Sequence, residues 1–274
     1  MQRRKIRLTV QYDGYDYHGW QIQPGKRTVQ GLLSEAVSDL VGHKITVHAA
    51  SRTDAGVSAL GQAAVFEVIS PIPTENFKDA INDRLPPDIV VCSCDEAGRD
   101  FDVMGGVASK LYRYTICTQR RRPVLEVRRC WHIPRRLDVA AMDKAAGLLV
   151  GRRDFKSFAA GKDRRESSVR TIFRCGVSSS SEGKTQGQSD RSRYVYVDVE
   201  GDGFLYNMVR NVVGTLVEAG LGRMTPEKIT EILEAKDRTA AGPIAPPQGL
   251  CLMWVKYREA GDRREELEDA CDVR

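Results

Sequence analysis

Apolar residues alternate with polar ones at the start of the chain: Ile6, Leu8, Val10 and Tyr12 carry the period of a half-buried strand. A loop containing Gly and Pro follows over 13–27. Thr28 then stands where it can cap a helix whose apolar stripe is Val29, Leu32, Leu33, Ala36, Val37 and Leu40. Strands are expected near 45–50 and 62–68, with a loop at 51–58 between them. A helix over 74–85 leads through Pro86-Pro87 into a strand over 89–94. About 100 residues of mixed strands and helices suffice for one α+β domain.

Gly105-Gly106 marks a joint. Beyond it the pattern predicts a long strand at 109–118, a helix at 138–150, and a hairpin built from strands at 169–178 and 193–200. The polar segment SSSSEGKTQGQSDRSR forms its tip. Helices at 204–219 and 226–235 and a last strand at 250–257 complete the inventory. The expected division is an N-terminal domain at 1–105, a C-terminal domain at 106–257 and a charged tail at 258–274.

Composition narrows the function. The chain has 274 residues, 41% of them hydrophobic and 29% charged. No apolar run reaches the roughly 18 residues a membrane span needs. MQRRKIRLTVQY passes from charge straight into the strand pattern, without the apolar stretch of a signal peptide, so the expected location is the cytoplasm. Seven cysteines and four histidines are scattered without metal-ligand spacing, and reduced, mostly buried thiols are expected rather than disulfides or a metal site.

Net charge is 42 − 37 = +5, but its distribution is uneven. Lys110, Arg113, Arg120, Arg121, Arg122, Arg128, Arg129, Arg135 and Arg136 fall in one stretch, opposed only by Glu126 and interleaved with Tyr112, Tyr114 and Trp131. Cations release counterions from phosphates and aromatic rings stack on bases, so this stretch suits a nucleic acid. A solvated basic surface is the plain alternative.

Three segments carry candidate chemistry. SRTDAGVSALGQ puts Asp54 in a tight loop between strands, with small neighbours that expose a carboxylate on a fixed backbone. An ordinary turn aspartate is the competing reading. GDGFLYNMVRNVVGTLVEAG places Arg210 on a helix among Met208, Val209, Val212, Val213, Leu216 and Val217, where a partly buried guanidinium needs an anion. That anion is Asp54, which the pairing would hold ionised for nucleophilic work, or else Glu218 or Asp202 in a structural bridge. SKLYRYTI puts Tyr112 and Tyr114 on one strand face and Arg113 on the other, so that Tyr112 is either a platform for an extruded base or a core tyrosine. GWQIQPGKRT mimics a phosphate-binding loop but has the wrong spacing, and Arg27 stands where Ser or Thr is required.

Together with YDGYDYHGWQIQP, TVQGLLSEAV, INDRLPPDIVV, KLYRYTI, GRRDFKSFA and APPQGLCLMWV, these segments resemble the TruA family of tRNA pseudouridine synthases from about Arg7 to Tyr257. RTDAGV is the most specific of them. The resemblance implies two α+β domains sharing a continuous, mainly antiparallel sheet, with the active-site cleft between them. It implies isomerisation of uridine to pseudouridine at positions 38, 39 and 40 of the tRNA anticodon stem-loop, by a homodimer without cofactor or metal. Asp54 becomes the catalytic aspartate, Arg210 its basic partner and Tyr112 the active-site tyrosine. Arg52 helps displace the base, and Lys110, Arg113, Arg120, Arg121 and Arg122 become RNA-binding candidates.

The sequence departs from the family pattern in places. Ser58 stands where His commonly follows RTDAGV, which puts a backbone contact there in question. FDVMGGVASK lacks an Arg-Phe pair, and Cys251 replaces a frequent Tyr. Two other functions remain to be distinguished: a pseudouridine synthase acting on another RNA site, and a non-catalytic RNA-binding protein.

Overall fold

The computed structural model describes residues 2–161, 166–180 and 194–258. Along the chain come β1 (Arg4–Tyr12), α1 (Val29–Val41), β2 (His48–Ala49), β3 (Ser58–Val68), α2 (Thr74–Asn82) and β4 (Ile89–Ala97). Next are β5 (Val107–Cys117), β6 (Trp131–His132), α3 (Val139–Gly147), β7 (Gly151–Asp154), β8 (Val169–Ser180) and β9 (Tyr194–Gly201). The helices α4 (Met208–Gly220) and α5 (Lys228–Ala235) precede β10 (Leu250–Tyr257). The fold is α+β and its strand pairings are mostly antiparallel.

The chain forms two compact units, Met1–Ala108 with Cys251–Arg258, and Ser109–Leu250. The sequence expectation placed the boundary between domains at 105/106 and the start of the tail at 258; in the structure the last strand groups with the first unit. Of the expected hairpin tip at 179–192, Ser179 and Ser180 continue β8. The rest of the tip, and the tail beyond Arg258, lie outside the described residues.

In the first unit, β1 lies between β3 and β4, antiparallel to both, while β2 and β10 also pair with β3. The alternation read from the sequence is the burial pattern of β1: Ile6, Leu8 and Val10 are buried and their neighbours are partly exposed. Helix α1 forms where Thr28 caps it, its side chain accepting the Gly31 N–H, and ends at left-handed Gly42. Phe77 of α2 meets Phe66 of β3 edge to face at 5.6 Å. A smaller cluster of Ala50, Ala63, Val65, Val103 and Val107 packs with Phe101, Val255 and Tyr257.

In the second unit, β9 lies between β5 and β8, antiparallel to both, β7 flanks β8, and the short β6 runs parallel to β5. Helix α3 starts at Asp138, whose carboxylate caps the Ala141 N–H. Helix α4 begins at Met208, four residues later than the apolar pattern indicated. Asn207 adopts φ 61°, a left-handed conformation that cannot extend the helix backwards. β6 and β7 are too short for periodicity to reveal.

Candidate functional site

Asp54 lies between β2 and β3, in a loop held by its neighbours at almost every step. Trp20 N–H donates to Thr53 O at 3.0 Å, Gly56 N–H to Tyr17 O at 3.2 Å, and Val57 N–H to Asp54 O at 3.1 Å. The Tyr12 hydroxyl meets Thr53 Oγ1 at 2.8 Å, and both residues are buried. Gln62, fully buried, closes the entry to the loop: its Oε1 accepts Ser51 N–H at 3.2 Å and its Nε2 donates to Ser51 O at 2.6 Å. Ser58 Oγ accepts the Gly14 N–H at 3.0 Å, so the serine that replaces the common histidine does contact backbone.

Two glycines allow this close packing. A Cβ on Gly14 would lie 1.9 Å from Val57 O, and one on Gly19, which has φ 84°, would lie 2.6 Å from Thr53 O. The segment around Gly19 is fixed from behind by α1. Val29 N–H donates to Gly19 O at 3.2 Å and Gln30 N–H to Trp20 O at 3.0 Å. The buried Gln30 side chain adds bonds to Ile22 N–H at 2.9 Å and Val47 O at 2.8 Å. A carboxylate mounted this way is preorganised, because its backbone has no alternative position to relax into. Asp54 itself is partly exposed and Arg52 is exposed.

Tyr112 and Arg210 belong to the second unit. Tyr112, on β5, is 6% exposed and meets Phe204 edge to face at 5.3 Å. Tyr114 shares its face, fully buried, with its hydroxyl donating to Pro246 O at 2.7 Å. Burial raises the Tyr114 phenol well above its ordinary value, and the nearby positive charge of Arg210 opposes that rise.

Arg210 is half-buried on α4. Its Nε donates to Ala245 O at 2.8 Å and its Nη1 to Asn207 Oδ1 at 3.0 Å. The left-handed Asn207 thus both starts the helix and orients the guanidinium. The two structural partners considered for Arg210 are engaged elsewhere: Glu218 pairs with Arg223 at 2.9 Å, and Asp202 Oδ1 accepts Thr171 N–H at 3.0 Å. Helix α4 is fixed by a polar ladder in which Asn211 donates to Phe158 O at 2.7 Å and accepts from Arg238 at 2.9 Å. Gly214 lets the 242–245 segment press on the helix, since a Cβ there would lie 1.6 Å from Pro243 O.

The RNA-binding candidates divide by environment. Arg120, Arg121 and Arg122 are exposed between β5 and β6, while Lys110 is partly buried on β5. Arg113 grips the buried Asp198 with two bonds of 2.7 Å and lies 5.2 Å above the Tyr196 ring. The six described cysteines form no disulfide with one another: Cys117, Cys130 and Cys175 are buried, Cys94 and Cys251 half-buried and Cys92 exposed. Burial pushes the Cys94 thiol up to about 11, and Cys130 and Cys175 to about 12, so these three stay protonated at neutral pH. Among the described residues no cluster of His, Cys, Asp or Glu could hold a metal ion, and no helix is long and apolar enough to cross a membrane.

Sequence reading singled out Asp54, Tyr112 and Arg210 as candidates but not the residues that hold them. Tyr12, Gln62 and Asn207 are single polar residues in ordinary contexts, and the carbonyls of Ala245 and Pro246 leave no trace in a sequence. The crowding of glycine and aromatic residues in YDGYDYHGW was the available signal for the clamp.

The family model described as tRNA pseudouridine synthase matches residues 8–104 and 145–258. Among curated proteins, tRNA pseudouridine synthase A of Geobacter sulfurreducens is 41% identical over 254 residues, covering 93% of this chain and 100% of that protein. The proteins of the same name from Geotalea uraniireducens and Caldicellulosiruptor saccharolyticus are 40% and 39% identical over the same lengths.

Proposed function

The chain belongs to the tRNA pseudouridine synthase family, and on that premise we propose that it isomerises uridine to pseudouridine in the anticodon stem-loop of tRNA, at positions 38, 39 and 40. The reaction is an intramolecular transfer. The bond from C1′ of the ribose to N1 of uracil breaks, the ring turns, and C1′ bonds to C5. The C5 proton leaves and N1 gains one, so nothing is oxidised and no group is added. A carboxylate nucleophile and a site that holds the detached ring are the machinery required.

Asp54 is that nucleophile. The observation that carries this reading is the clamp on its loop: two obligatory glycines, a buried glutamine and a buried tyrosine all converge on 51–57. An aspartate of an ordinary turn has no use for such support. Arg210, held by Asn207 and Ala245, is the cation that keeps the carboxylate ionised and aimed. Tyr112, wedged against Phe204, offers a ring for the extruded base, whose stacking returns about 1–3 kcal/mol against the few that extrusion costs. Arg52 takes the vacated space in the stem. Lys110 and Arg120, Arg121 and Arg122 bind phosphates, and Arg113 adds charge to the same strand while anchored to Asp198. The protein works in the cytoplasm as a homodimer, with tRNA as its partner.

Chemical mapping of pseudouridine on an unmodified tRNA, after incubation with wild type and Asp54→Asn, tests this reading. Wild type should mark the anticodon stem-loop. The variant should lose at least about a thousandfold in turnover while still binding the RNA. Pseudouridine appearing only at other RNA sites would redirect the substrate, and wild-type binding without any product would leave an RNA-binding protein.

A further inference from the structure

The segment joining β5 to β6 contains the most exposed large apolar side chain of the described residues. Leu125 is 90% exposed, Val124 74% and Val127 39%. A soluble surface tolerates single exposed aliphatic residues, but three within four positions mark an interaction surface. The segment is not loose at its base. Ile116 and Cys117 pair with Trp131 and His132, Ile133 N–H donates to Cys117 O at 2.9 Å, and His132 Nε2–H donates to Gln119 O at 2.8 Å. Nearer the tip, Glu126 O accepts from Arg129 N–H at 2.9 Å and from the buried Cys130 thiol at 3.2 Å, while Pro123 is buried. The fold therefore builds a projection and holds aliphatic side chains out on it.

The charge around the tip selects the partner. Arg120, Arg121, Arg122, Arg128 and Arg129 are all exposed, and Glu126 is the one acid among them. Two copies of such a tip repel each other, and an apolar protein groove would leave five guanidinium groups desolvated. A nucleic acid offers what the tip lacks, phosphates for the arginines and an apolar base face for the aliphatic residues. Aliphatic wedges flanked by cations are a general means of parting a base step and bending the strand around a protein. The segment also springs from the strand carrying Tyr112, which lies five residues before the strand's last, so about 17 Å of strand separates Tyr112 from the base of the segment at about 3.4 Å per residue. That distance is within the reach of one RNA stem-loop.

We propose that Val124 and Leu125 form an apolar wedge that inserts against unstacked bases of the substrate RNA while the surrounding arginines hold its phosphates. This rests on the reading of the chain as an RNA-modifying enzyme and names a contact that the reaction chemistry does not require. The test compares wild type with Val124→Ser/Leu125→Ser on an unmodified tRNA carrying 2-aminopurine in the anticodon stem-loop, whose fluorescence rises on unstacking. Both side chains are exposed, so the variant should melt with wild type. It should lose the fluorescence rise and raise KM about tenfold while kcat changes less than about twofold, the pattern of lost binding rather than lost chemistry. An unchanged fluorescence rise and KM, in a variant that still makes pseudouridine, would overturn the wedge. So would sedimentation showing that the substitutions turn a wild-type dimer into monomers, since the surface would then belong to a second copy. Failure of the isomerase reading would show separately, as absence of pseudouridine with wild type.

Discussion

The loop carrying Asp54 and the loop carrying Leu125 both join strands, and they are built on opposite principles. The first is anchored along its length: its carbonyls and N–H groups are taken up by Trp20, Tyr17 and Gln62, and a neighbouring backbone lies so close that only glycine fits. The second is anchored at its base, and its tip stands in solvent with apolar and cationic side chains outward. A reacting carboxylate must be in place before substrate arrives, because displacement by about an ångström costs orders of magnitude in rate. A surface that meets a flexible polyanion gains more from reach and charge. The difference teaches that in this protein anchoring is concentrated around the loop carrying Asp54 and withheld from the segment carrying Leu125.

The sharpest way to break the comparison is Gly14→Ala. The new Cβ would sit 1.9 Å from Val57 O, and backbone on both sides must move. Destabilisation of at least about 3 kcal/mol is expected in urea unfolding, with loss of turnover in the protein that remains folded. Gly25→Ala is the internal control. Gly25 has a positive φ of 67°, which Gly14 lacks, but its Cβ would meet nothing, so only the left-handed strain of about 1–2 kcal/mol should appear. A cost at Gly14 no larger than that at Gly25 would mean that the close approach to Val57 O relaxes cheaply and does not require glycine.

Gln62→Leu comes next. The substitution keeps the volume but abandons Ser51 N–H, Ser51 O and the Tyr12 hydroxyl, which Gln62 Nε2 reaches at 3.4 Å. A buried polar group left without its partner costs about 1–3 kcal/mol, so a loss of about 2–3 kcal/mol is expected. Amide hydrogen exchange should speed up at 51–57 ahead of the rest of the first unit. Exchange that rises uniformly would show that Gln62 supports the unit and not the loop.

The same contrast explains what was legible in the sequence. Periodicity located β1, α1 and α3 because each buries one face, and it placed Tyr112 and Tyr114 together because strands alternate. It ran α4 back to Phe204 because hydropathy carries no record of the φ at Asn207. The motif around Asp54 was conspicuous, whereas its clamp comes from residues about 34–42 positions earlier, with Gln62 eight positions later, that meet it only after folding. Arg113 reads in sequence as one more member of a basic run, and only the structure shows it committed to Asp198 from another strand.

The smallest effect on stability is expected where the sequence looks most eventful. Replacing Arg120, Arg121 and Arg122 together by glutamine removes three exposed cations from a loop whose base is held by other residues. Unfolding free energy should change by no more than about 0.5 kcal/mol, the usual range for surface substitutions. Affinity should behave differently. Each cation that neutralises a phosphate releases counterions, at about 0.7–0.9 in the slope of log K against log salt. Losing three should flatten the slope measured with tRNA by about 2–3, and weaken binding most at low salt. The two measurements together decide the matter. A flattened slope with unchanged stability is the signature of a docking surface, whereas a large loss of stability with an unchanged slope would mean that these arginines hold the loop as Gln62 holds the other.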